Sequence, residues 1–270
     1  MKALGPWAVK ALALWAALAA ATAVTGLIPL QPSSTGMPDG PLGPVGALLV
    51  VNALAALVLA GPAARLTVSG WRRPAILFAL LFTVETGLSW IEAVFFNDFV
   101  KMYGPALIGM AVSGLFKSAV GAAAASFLWR RPADLAPPFR IGVIRPVLLT
   151  GLYVILYFVA GAVVAWSSAA VRAYYGDGLD IDVGKLALLQ VGRGAVWTSL
   201  AALLAATVQG RTLTVAGLVG AAFAVLMAAP LLYPSAVIPW PVRQVHLVEL
   251  ALANFAFGAL AVLLFRRRAG

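Results

Sequence analysis

Eight uninterrupted apolar stretches, each about 20 residues long, constrain this chain more than any other feature. A helix of that length crosses roughly 30 Å of hydrocarbon. The stretches fall near residues 7–30, 44–64, 74–97, 104–129, 146–168, 184–208, 212–233 and 241–265. Pro44, Pro74, Pro105, Pro146 and Pro241 stand in the first turns, where a missing N–H leaves no helical bond unmade. The expected fold class is therefore all-α: a polytopic integral membrane protein of about eight transmembrane helices. Composition agrees. The 270 residues are 63% hydrophobic and 10% charged, against about 25% charged in a soluble domain, so most of the chain must be solvated by lipid.

Cysteine is absent and His246 is the sole histidine. Disulfides, thiolate metal sites, iron–sulfur clusters, bis-histidine haem ligation and three-histidine zinc sites within one chain are thereby excluded. The net charge of +10 would point to nucleic acid in a soluble protein. Here its placement predicts a lipid bilayer as the partner and no nucleic acid. With the N-terminus inside, Lys2, Lys10, Arg65, Arg72, Arg73, Arg130, Arg131, Arg140, Arg145, Arg211, Arg266, Arg267 and Arg268 all fall in inner segments, and Asp39, Asp98, Asp177, Asp180 and Asp182 in outer loops. The expected location is the cell membrane, with both termini cytoplasmic. Trp7, Trp71 and Trp129 mark the inner interface, and Tyr103, Tyr174, Tyr175 and Trp240 the outer one.

The first stretch shares features with a signal peptide: Lys2, an apolar run and small residues near Ala21. An internal repeat argues that it is kept as a span. Val45-Gly46-x-Leu48…Asn52 returns as Val183-Gly184-x-Leu186…Gln190, Pro105 as Pro241 and Arg130-Arg131 as Arg266-Arg267. A displacement of 136–138 positions lays all four spans of residues 1–135 on the four of 136–270. Each half has an even number of spans, so the copies would share one orientation, a parallel 4+4 repeat.

Ionisable groups inside spans are costly and face a bundle interior or a wet cavity. All three glutamates lie in spans, as do Lys117 and Arg193. Glu85, Ser89 and Glu92 share one stripe of the third span, with Glu85 near mid-depth and Glu92 near the outer interface. Lys117, with Ser113, stands on the fourth span at the depth of Glu85, which predicts a buried ion pair. Gln190, Arg193 and Trp197 share a face of the sixth span, and Gly192 and Gly194 beside them let a neighbouring backbone approach. Arg193 is placed to pair with Glu92 or Glu249, or to bind an anion.

The eighth span is the most polar. Arg243, His246, Glu249 and Asn254 descend one arc from the outer interface. His246 and Glu249, three residues apart, can share a proton or a metal, though a complete metal site needs three or four ligands. The acidic loop from Tyr174 to Gly184 lacks the terminal glutamate of a calcium loop and reads as a solvated loop. Ser89 in Gly87-Leu88-Ser89-Trp90 has only His246 as a conceivable base.

The residues expected to bind a substrate or proton are Glu92, Arg193, His246, Glu249, Asn254, Glu85 and Lys117, without a cofactor. Glu92, Arg193, His246 and Glu249 are expected to converge in the outer half of the bundle. This favours movement of a small solute or protons at the interface of the two halves. A membrane enzyme acting on a lipid or lipid-linked substrate at the outer leaflet is the alternative. A structural protein that assembles with a membrane partner subunit is a third reading.

Overall fold

The computed structural model describes residues 4–27, 40–97, 104–130, 143–176, 182–235 and 237–266. Among these residues nine helices form and no strand does. They are α1 (Leu4–Thr25), α2 (Pro44–Arg65), α3 (Arg72–Phe95), α4 (Gly104–Leu128), α5 (Ile144–Ala165), α6 (Ala169–Tyr175), α7 (Val183–Thr207), α8 (Thr212–Leu232) and α9 (Trp240–Arg266). Eight are long and apolar enough to cross a membrane, and the seven-residue α6 is not. The chain is a multi-pass membrane helical bundle. Spans that alternate in direction put both termini at one end of the bundle, called here the terminal end. The other is the distal end.

Two spans contain a local change of winding. In α3 the turn Thr83–Gly87 is π-helical and contains Glu85. In α5 the last turn, Gly161–Ala165, is also π-helical. Such bulges free backbone groups and often accompany functional residues. The last turn of α8, Ala229–Leu232, tightens to 3₁₀ at Pro230, which has no N–H to continue the α ladder.

Helix α1 packs on α2 and α4, and α3 packs on α4. Likewise α5 packs on α7 and α9, and α8 packs on α9. Across the halves α2 meets α8, and α3 meets α7. The neighbours of each span are thus preserved when the halves are exchanged. Helix α8 is the most enclosed span and α5 the least. Close crossings are made by small residues, as expected where lipid supplies no hydrophobic drive between helices. A Cβ on Gly220 of α8 would lie 2.9 Å from the Phe255 carbonyl oxygen of α9. Gly258 of α9 meets Phe223 and Gly220 of α8, and Gly121 of α4 meets Leu81 of α3 and Leu18 of α1.

At the terminal end the corners after α2 and α7 join. Thr67 N–H donates to the Thr207 carbonyl at 2.9 Å and Gln209 N–H to that of Arg65 at 2.8 Å, around an antiparallel bridge of Leu66 with Val208. Each corner exposes helix-end carbonyls that need donors. Arg73, buried, serves those of Ala63, Leu66, Val68 and Trp129. Arg266 serves those of Ala205, Val208 and Gly210.

The structure refines three sequence expectations. Trp129, at the terminal end, is buried against the core where Arg73 gathers the corner. Arg243 is not part of the polar arc of α9. Its guanidinium turns to the carbonyls of Leu231 and Ile238, both at 2.8 Å, and to that of Tyr233, because the loop from α8 to α9 leaves them without helical donors. Asp182 is a helix cap, accepting from the backbone N–H groups of Gly184 and Lys185 at 2.9 and 3.1 Å. Asp39, Asp98, Asp177, Asp180, Arg131, Arg140, Arg267, Arg268, Tyr103 and Lys2 lie outside the described residues, and with them most of the outer acidic loop.

Candidate functional site

The site is built where α5, α7 and α9 meet, with α3 reaching in from the first half. Gly194 of α7 makes the approach possible. A Cβ there would stand 3.0 Å from the Tyr153 ring and 3.1 Å from the Thr150 carbonyl of α5. Gly192 faces open space, so only one of the two glycines beside Arg193 has the packing role expected of both.

Arg193, 2% exposed, donates from Nη1 to Glu92 Oε1 of α3 and, at 3.1 Å, to Gln190 Oε1 one turn earlier. Of the two carboxylates that depth allowed, Arg193 bonds to Glu92. Arg193 Nε and Gln190 Nε2 are buried with no hydrogen-bond partner.

On α9, His246 Nδ1 lies 2.7 Å from Glu249 Oε2. The other ring nitrogen, Nε2, lies 3.2 Å from Tyr175 Oη at the end of α6. An ionised Glu249 accepts from Nδ1–H, which leaves Nε2 as acceptor for the Tyr175 hydroxyl; this tautomer follows from the network. Burial pushes the Tyr175 phenol above its ordinary range, with lesser contributions from Tyr174, Glu92 and Glu249. It therefore stays a hydroxyl donor at neutral pH. The second oxygen of Glu249 faces Gly161, where a Cβ would come within 3.6 Å, so the π turn of α5 is moulded around this carboxylate.

Between the two groups is a cavity lined by Tyr153, Tyr157, Arg193, Glu249 and Asn254, with Leu156, Ala160, Leu250 and Ala253. Its volume is about 20 Å³, room for one water molecule. Asn254 borders it, although its amide donates to the Leu250 carbonyl at 2.8 Å. Beyond it the interior is packed with aromatic rings. Trp197 packs 4.6 Å from Phe223 and 6.4 Å from Phe257, and Tyr153 packs 5.4 Å from Phe257, ring centre to ring centre. All four rings are buried.

Of the seven residues singled out in the sequence, Arg193, Glu249 and Asn254 share this cavity. Glu92 and His246 join it through direct partners, and both lie within electrostatic reach of one another. Glu85 and Lys117 do not. They bond to each other between α3 and α4, each side chain 9% exposed. Tyr153, Tyr157 and Tyr175 were not anticipated as site residues. Tyr153 and Tyr157 stand four apart on one face of the fifth span, a signal that was available but carried no charge to draw attention. Among the described residues no three of His, Asp and Glu gather to hold a metal.

The fold and site define a multi-pass helical membrane protein with a buried, hydrogen-bonded ionisable cluster near its distal end. Comparison of the chain with protein-family models, curated proteins and solved structures finds no match.

Proposed function

We propose that the protein moves protons, entering at the distal end through Tyr175, His246 and Glu249 and passing to the cavity beside Arg193. The observation that carries this reading is the position of His246. Its imidazole connects a hydroxyl outside the spans to a carboxylate inside them, through two different ring nitrogens. A proton arriving at Nε2 can leave from Nδ1, which is the property that makes histidine a relay. An ion pair serving helix pairing alone has no use for such an arrangement.

The cavity volume favours protons over a larger cargo. Space for one water molecule suits a proton and excludes most organic solutes in this conformation. It also argues against a lipid-linked substrate, as does the Tyr175 hydroxyl that already faces the nitrogen a general base would use.

The test is proton uptake into vesicles containing purified protein and a trapped pH dye, driven by a potassium diffusion potential. Uptake faster than in empty vesicles, and lost in Glu249→Gln, is expected. Uptake no faster than in empty vesicles overturns the reading.

A further inference from the structure

The first half contains a second group of buried polar residues that the distal relay does not use. Asn52 of α2 is fully buried, and its Oδ1 accepts from Thr22 of α1 at 3.2 Å. Lys117 of α4 holds Glu85 of α3. Tyr233, which follows α8, brings its hydroxyl beside Asn52 and Thr22 and within electrostatic reach of Glu85. Glu85 Oε2 is buried with no hydrogen-bond partner, and the buried Tyr233 Oη, though beside Asn52 and Thr22, makes no well-formed hydrogen bond with either.

The arrangement parallels the site in the second half. There, Tyr157 and Ala160 come from α5, Gln190 and Arg193 from α7 and Asn254 from α9. Here, Thr22 comes from α1, Asn52 from α2 and Lys117 from α4, the corresponding spans. Asn52 and Gln190 are the pair that the sequence repeat aligns. Each site is completed from the opposite half. Glu92 crosses from α3 to α7, and Tyr233, about one turn past the position that the repeat aligns with Glu92, crosses from the end of α8 to α2. At the centre, Ser89 Oγ of α3 lies 3.8 Å from Met227 Sδ of α8, two residues separated by 138 positions. Residues related by the repeat can touch each other only on the axis that relates the halves.

We propose that the halves are copies and that the first contains a second hydrated site, in which water bonded to Glu85 Oε2 and Tyr233 Oη takes the place that the cavity occupies in the second. The ligand is water rather than a metal cation, because the Lys117 ammonium already neutralises Glu85 and would repel a second positive charge. Water supplies a donor to the carboxylate oxygen and a partner to the phenol, the two bonds that are missing. The π turn around Glu85 makes room for it by breaking the regular ladder. This site rests on the repeat and on the orphaned atoms, and not on proton movement through His246.

Two measurements test it. In X-ray hydroxyl-radical footprinting of the protein in lipid, Tyr233 is expected to be modified several-fold faster than Phe223, which is fully buried among aromatic rings and away from the cavity. Equal slow rates for the two overturn the site. Tyr233→Phe gives the second reading through the sign of its effect. If water is held, losing the hydroxyl leaves the water and Glu85 underbonded, and Tm falls by about 2–4 °C. If the site is dry, the substitution removes an unsatisfied hydroxyl and Tm rises, which overturns the proposal. Neither measurement involves Glu249, so failure here leaves vesicle proton uptake as it was, and failure of uptake leaves these two results as they are.

Discussion

His246 and Glu249, one helical turn apart on α9, meet at 2.7 Å inside the bundle. The same imidazole faces Tyr175 with its other nitrogen. That relationship links a membrane-embedded carboxylate to the distal surface, and the ionisable groups around it determine what each substitution should do.

The Glu92–Arg193 pair joins α3 to α7 across the two halves. Glu92→Gln leaves the Arg193 guanidinium buried without its counter-charge, a loss of about 3–5 kcal/mol for a buried pair. Glu92→Gln with Arg193→Met should recover much of that loss. Thermal unfolding in detergent measures both, and additive losses in the double variant would show that the residues are not coupled.

Glu85 and Lys117 should behave in the same way within the first half. Glu85→Gln alone is expected to destabilise more than Glu85→Gln combined with Lys117→Met, because the single change strands a buried ammonium without its counter-charge. The same thermal assay decides it. A double variant that loses the sum of both single losses contradicts the pairing.

Helix contact through glycine gives a position-specific expectation. Gly220→Ala drives a methyl against the Phe255 carbonyl and should cost about 1–3 kcal/mol by overpacking. Gly192→Ala, with no atom within 4 Å of the added carbon, should be neutral or slightly stabilising. Unfolding midpoints of the two variants that fail to differ contradict the packing described at α8 and α9.

The orientation proposed from basic residues predicts that Arg72→Cys and Arg130→Cys resist an impermeant maleimide in intact cells and that Asp180→Cys reacts. Labelling of the first two but not the third reverses the topology.

The spans were legible because apolar length and first-turn prolines act locally; the eight fall within a few residues of their expected limits. The pairing of Glu85 with Lys117 was legible from equal depth on adjacent helices. The partner of Arg193 was not, since Glu92 and Glu249 share its depth and only the crossing of α3 with α7 selects Glu92. Tyr175 read as an interface marker, because nothing local shows that α6 folds back to put it against His246. Arg73, Arg243 and Arg266 read as surface or arc charges. Their actual partners are helix-end carbonyls, which a sequence pattern does not display.

The central claim is that protons pass along Tyr175, His246 and Glu249. Currents recorded on a solid-supported membrane after an acid step test it most directly, with wild type, His246→Gln and Glu249→Gln compared at matched protein density. The account predicts a proton current in wild type that both substitutions abolish. Equal currents in all three proteins, or none in wild type, would contradict it.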